Sequence, residues 1–252
     1  MAANGKKDTL AVIGDGNKLA QAASLLMENV QAMSAPGDMG MGLLPTIKLK
    51  HAGTVGFGVN DGVGDEELIS GKEGFDAVIL YSQPVRVYWA KGFDEKSDDD
   101  NPAPDCSSLD CIIGRGEAWG SKKGEIGVQQ CADCPHAQWD SAKKGRGQAC
   151  RVRTRQFILP AGSLIPHMFE VPTTSTRTAA QYGVGLANKG LQYFAAVTHF
   201  GAIGAKNRDG VDYSVLELEL VGGLDEAAVE QLDVMRQTCA SIASQLPVGM
   251  EE

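Results

Sequence analysis

The chain is 252 residues long, 43% hydrophobic and 22% charged, with a formal net charge of −9, enough to bury a sizeable core as one large domain or two small ones. No apolar run approaches the roughly 20 residues of a membrane span, and Met1–Asp8 lacks the apolar stretch and small-residue cleavage site of a signal peptide, so a cytoplasmic protein without a membrane partner is expected. The acidic balance excludes a wholly basic, histone-like binder.

Residues 1–8 read as disordered. Leu19, Ala22, Ala23, Leu26 and Val30 fall at helical spacing and predict a helix over 16–33. A Gly- and Met-rich loop, 34–42, follows. Residues 45–50 alternate apolar and polar as a strand does, 51–58 form a second extended piece, and 60–64 a turn. The longest strand-like region is 75–93, with Pro84 marking a bulge or an edge position. There Arg86 and Tyr88 take one face and Val85, Val87 and Trp89 the other. An acidic loop, 94–105, expected to be mobile, leads into a cysteine-rich region, 106–150.

Beyond it, 151–159 predicts a strand with one basic face, and 163–171 another. Thr174 or Ser175 caps a helix running to about Leu186. Two further strands, 192–205 and 213–221, are joined by a turn over 206–210; Leu216, Leu218 and Leu220 face one way, Glu217 and Glu219 the other. The last element is an amphipathic helix, 224–246, with Val229, Leu232, Met235, Cys239, Ile242 and Leu246 on one stripe. Six or seven strands without regular helix alternation disfavour a doubly wound fold. They fit a mainly β (α+β) protein, a small antiparallel barrel with insertions. The domain reading is 1–44 as helix and loop, 45–221 as the core carrying an insertion at 94–150, and 222–252 as helix and acidic tail.

Five of the six cysteines lie between Cys106 and Cys150. Cys131-Ala-Asp-Cys134 is a knuckle spacing that lets two thiolates grip one metal ion, and zinc takes four such ligands in a tetrahedron. Disulfides are a poor alternative in the cytosol. The other two ligands come from Cys106, Cys111, Cys150 and His136. Cys106 and Cys150 are favoured because ligation there staples the base of the insertion; Cys111 is the runner-up to Cys106, and His136 reads as a surface residue. A redox CxxC would open a helix in a βαβ unit, which is missing. The deaminase pattern of H-x-E with P-C-x-x-C is missing too, so the expected zinc is structural. Cys239 reads as core.

Charge is unevenly spread. Residues 207–252 hold ten acidic and two basic residues, whereas 143–155 holds Lys143, Lys144, Arg146, Arg151, Arg153 and Arg155 and no acid. On a strand, arginines two apart stand about 7 Å from one another on one face, a spacing that suits successive phosphates. Trp139 and Tyr88, with Trp89, are the aromatic platforms on which bases would stack. The plainer reading is a solvated face paired to the 94–105 loop. Other signals are weaker. Gly14-Asp-Gly16-Asn-Lys18 lacks phosphate-loop spacing; Ser121, His136 and Asp140 lack a nucleophile elbow; Asp98–Asp100 reads as a solvated loop.

Taken in order, Pro45-Thr-Ile-Lys-Leu49, Val85-Arg-Val-Tyr-Trp89, Cys106-Ser-Ser-Leu-Asp110, Cys131-Ala-Asp-Cys-Pro-His-Ala-Gln-Trp139, Gly147-Gln-Ala-Cys150 and Pro172-Thr-Thr-Ser175 resemble a group of bacteriophage and mobile-element proteins with a four-cysteine insertion. The resemblance spans roughly residues 45–190. It implies an OB-like barrel, Zn2+ held by Cys106, Cys131, Cys134 and Cys150, and non-enzymatic binding of single-stranded DNA in replication or recombination inside a bacterial host. Cys111 departs from it, standing where a glycine is expected after Ser-Ser-x-Asp. Lys143, Lys144, Arg146, Arg151, Arg153 and Arg155 would then contact phosphate, with Trp139 and Tyr88 stacking. The acidic C-terminus resembles the partner-recruiting tips of bacterial single-strand binders, and helix 224–246 would pack on the barrel or make a homo-oligomer. The alternative is a zinc-containing interaction or regulatory module that does not bind DNA.

Overall fold

The computed structural model describes residues 16–32, 44–50, 54–61, 65–91, 104–143, 146–206, 210 and 212–244. The expected loops at 34–42 and 94–103, the turn centre at 62–64, Lys144 and the tail from 245 lie outside the described residues. Among those described are eleven strands and three α-helices, a mixed α+β protein that is mostly sheet. The chain forms two compact units, Met1–Ser82 with Arg155–Ile242, and Gln83–Thr154 with Ala243–Glu252. No described helix is long and apolar enough to cross a membrane.

The first unit begins with α1 (Gly16–Ala32), which buries Leu19, Ala22, Ala23 and Leu26 on one stripe. In β1 (Thr46–Lys50), alternation puts Ile47 and Leu49 inside. It pairs antiparallel with β2 (Gly56–Asn60), and β2 with β3 (Glu67–Ser70). The remaining strands are β4 (Phe75–Tyr88) as far as Ser82, β8 (Arg151–Pro160) from Arg155 on, β9 (His167–Val171), β10 (Ala196–Lys206) and β11 (Asp212–Gly223). Their order is β3-β2-β1-β9-β8-β4-β10-β11, with β1 and β9 parallel. Phe57, Phe169, Phe200, Ile79, Ile158 and Leu216 centre the core. Phe75 stacks on Phe200 at 5.1 Å and meets Phe57 edge-on at 5.1 Å, pairs that contribute about 0.5–1.5 kcal/mol each beyond area burial.

The ladder does not close among the described residues, since β3 and β11 do not pair. One backbone link narrows the gap. Gly71 donates its N–H to Val55 O at 3.0 Å and accepts from the Ala202 N–H of β10 at 2.9 Å. A Cβ at Gly71 would stand 2.6 Å from Ala202 O, so only glycine allows this approach.

Two helices follow the expected pattern, with one correction. α2 (Thr176–Ala187) starts after Ser175, but Ser175 makes no cap bond. Its Oγ accepts the Leu216 N–H of β11 at 2.9 Å instead, because the residue is fully buried and a core amide needs the acceptor more than a helix end does. In α3 (Glu226–Ala243) the cap is Asp225, which accepts the Ala228 N–H at 2.8 Å. Leu232, Met235, Cys239 and Ile242 are buried along its stripe.

The second unit adds three short strands within the cysteine-rich region. β5 (Cys106–Ser108) pairs with the end of β4, β6 (Ile113–Gly116) with β5, and β7 (Gly127–Gln130) with β6. Strands of three or four residues, rich in glycine, carry too little alternation to be seen in sequence. Val85 and Val87 form one small cluster with Trp89 and Leu109; Cys134, Ala137 and Cys150 form another with Tyr88 and Trp119.

Candidate metal centre and nucleic-acid surface

Four cysteines of the second unit share one cavity. Cys106 arrives on β5, Cys131 directly after β7, Cys134 one knuckle later, and Cys150 directly before β8; all four are buried and line the same small space. Cys106 is held in the β4–β5 ladder opposite Tyr88, and the other three by backbone bonds. The Cys131 N–H donates to Ile112 O at 2.8 Å, the Cys134 N–H to Cys131 O at 3.4 Å, and the Cys150 N–H to His136 O at 2.7 Å. Gln138 braces the knuckle, donating its amide to Ala132 O at 3.0 Å and Cys134 O at 3.2 Å.

Cys111 stands outside that lining. Its backbone is left-handed, φ 60°, a region that favours glycine and so accounts for the glycine expected at this position. Asp110 holds the turn, its Oδ1 accepting the Ile112 N–H at 2.8 Å, the Ile113 N–H at 3.0 Å and the Ser108 hydroxyl at 2.9 Å. Those backbone bonds hold the Asp110 carboxyl below the usual range.

The thiols are free of disulfides, and no group of three or more His, Cys, Asp or Glu among the described residues is arranged as it stands to hold a metal. Burial pushes the Cys106 thiol up, and that of Cys150 up to about 11, with Arg86 opposing the shift at Cys150. Three features fit a metal nonetheless. The donor set is four soft sulfurs. A Cβ at Gly114 would stand 2.9 Å from Cys106 Sγ, so the glycine keeps the cavity wall clear. Two N–H donors belong to residues that line the cavity: Trp119 Nε1–H donates to Cys106 Sγ at 3.3 Å, and Arg86 Nε is buried with no partner.

The cationic residues separate. Trp139 is 75% exposed, and Lys143, Arg146 and Arg151 are exposed in the same unit. Arg153 is half-buried with its guanidinium 5.2 Å from the Trp89 ring centroid. Lys144 lies outside the described residues. Arg155 is a correction to the six-cation track. It is 0% exposed, paired to Glu170 at 3.2 Å, and belongs to the first unit. The alternation of arginines along β8 is real, but the strand is flanked by β9 and β4 and its burial deepens along its length; equal spacing does not give equal exposure. Tyr88 is corrected in part, since one face of its ring stacks on His136 at 4.0 Å. His136 therefore packs between Tyr88 and Trp119 rather than standing on the surface.

Trp119, Gly114 and the cavity role of Arg86 were not anticipated. Nothing in spacing links residue 86 or 119 to the cysteines; only the alternation that sends Val85 and Val87 inward pointed Arg86 to the opposite face. No protein-family model matches the chain, and no curated protein or solved structure does either.

Proposed function

We propose that the protein binds single-stranded DNA without reading sequence, on a second unit clipped by a structural zinc ion, and that it serves replication or recombination in the phage or mobile-element setting of the proteins whose motifs it resembles. The carrying observation is that Trp139, Lys143, Arg146 and Arg151 are all exposed on the second unit. Cations that track phosphates and an aromatic face that takes any base give affinity without sequence readout. Cys106, Cys131, Cys134 and Cys150 would hold the ion, which supplies folding energy to a unit with little core of its own. The backbone link from Gly71 to Ala202 of β10 supports an OB-like barrel as the scaffold. The acidic C-terminus would recruit a replication or recombination protein.

The test is Trp139→Ala on the full chain. Loss of one stacking platform is worth about 1–3 kcal/mol, so affinity for a labelled poly-dT strand falls several-fold to about a hundred-fold while the melting temperature stays put. Unchanged affinity sinks the stacking role.

One observation favours the alternative. Ile112, Ile126 and Val128 are all more than half exposed around β7, which suits an interaction module docking a protein. That reading requires a salt-insensitive protein complex and no binding to oligonucleotide.

A further inference from the structure

We infer that Arg86 is the counter-ion of the four-cysteine centre, its guanidinium supplying both N–H donors and the positive charge that let four thiolates and a divalent cation be buried together. This rests on the zinc reading above and names the residue on which that site depends beyond its ligands. Val85 and Val87 are fully buried on one face of β4, so alternation sends Arg86 to the other, where it lines the cavity with Cys106, Cys131, Cys134 and Cys150. No carboxylate lines that cavity. Arg86 Nη1 has only a long bond, 3.5 Å, to Cys150 O, and its buried Nε has none. A guanidinium has five donors, and buried donors are ordinarily satisfied. What the cavity offers is sulfur, since Cys106, Cys131, Cys134 and Cys150 line it with Arg86.

The charges agree. Four thiolates around a divalent cation carry two net negative charges, costly to bury without compensation. Arg86 removes half of that charge, and Trp119 adds a neutral N–H to Cys106. Cys111 is outside the cavity, so the role of Arg86 is toward the four thiols that share the cavity with it. Groups of this kind next to metal ligands typically change affinity by 10–100-fold when removed.

The experiment uses the full chain loaded with zinc, then with cobalt. Wild type is titrated with a chromophoric chelator alongside Arg86→Met, Arg86→Lys and Cys131→Ser. Arg86→Met should weaken zinc affinity by about 10–100-fold with stoichiometry kept, and Arg86→Lys should recover most of it. In the cobalt form, Arg86→Met should keep the intensity of the thiolate-to-cobalt absorption and move it to lower energy, because thiolates that lose N–H donors are more easily oxidised. A merely structural role would not move that band. If Arg86→Met does not fold, Arg86→Lys decides: it keeps the charge, loses the Nε donor, and should still shift the band. Affinity and spectrum unchanged in both variants overturn the inference. Failure of the zinc reading itself is distinguishable, since wild type would then hold no more zinc than Cys131→Ser.

Discussion

At the scale of single residues, Cys106 and Cys111 divide cleanly. Cys106 is buried on β5 and faces the other three thiols; Cys111 sits in a left-handed turn outside the cavity. Cys106→Ser should therefore lose zinc, whereas Cys111→Gly should keep it and be neutral or slightly stabilising. The gain has a ceiling, because a side chain in the left-handed region costs about 1–2 kcal/mol while glycine adds unfolded-state entropy. Metal analysis and thermal melts of the two variants check this. Arg155 and Arg151 divide as well. Arg155→Ala leaves Glu170 without its buried partner, a break that costs about 3–5 kcal/mol, and should not alter DNA affinity in the protein that still folds. Arg151→Ala should do the reverse, weakening DNA and sparing stability. Denaturant melts beside strand-binding titrations separate them.

At the scale of elements, β9 carries a titration. His167 is buried, and its Nδ1 donates to Ile165 O at 3.1 Å, as a neutral ring does. Desolvation holds its pKa below the ordinary value, with the Ile165 bond opposing. The unfolded chain, with a histidine near 6.5, thus binds the proton first, and stability rises with pH. The contribution is full above about pH 6.5 and falls as pH drops toward the lowered folded value. His167→Gln should flatten melting temperature against pH across that window; an unchanged slope would place the acid sensitivity elsewhere. The same scale shows what could be read in advance. Sustained alternation or helical spacing marked α1, β1, β4, β10, β11 and α3. Strands β3 and β5 to β7 were illegible because three or four residues, several of them glycine, show no period. Burial of Arg155 was illegible because it depends on which strands flank β8, and the involvement of Arg86 and Trp119 because they lie far along the chain from the cysteines they meet.

At the scale of the whole molecule, charge is unevenly partitioned. Acidic residues crowd 207–252 and cations crowd 143–155, so a chain of net charge −9 still carries exposed cations on its second unit. Within 143–155, Lys143, Arg146 and Arg151 are exposed, Arg153 half so, and Arg155 lies in the core. Affinity resting on a few phosphate contacts has a definite salt signature, about 0.7 of a log unit per log unit of salt for each phosphate neutralised on a single strand. The most direct measurement is the affinity of the zinc-loaded full chain for a labelled poly-dT strand across a salt series, beside the Arg146→Ala/Arg151→Ala variant and a duplex of equal length. A single-strand binder gives affinity that falls linearly with salt on logarithmic axes, a slope shallower by about 1.4 in the double variant, and weaker binding to duplex. A flat salt dependence, equal affinity for duplex, or no binding to either would contradict it.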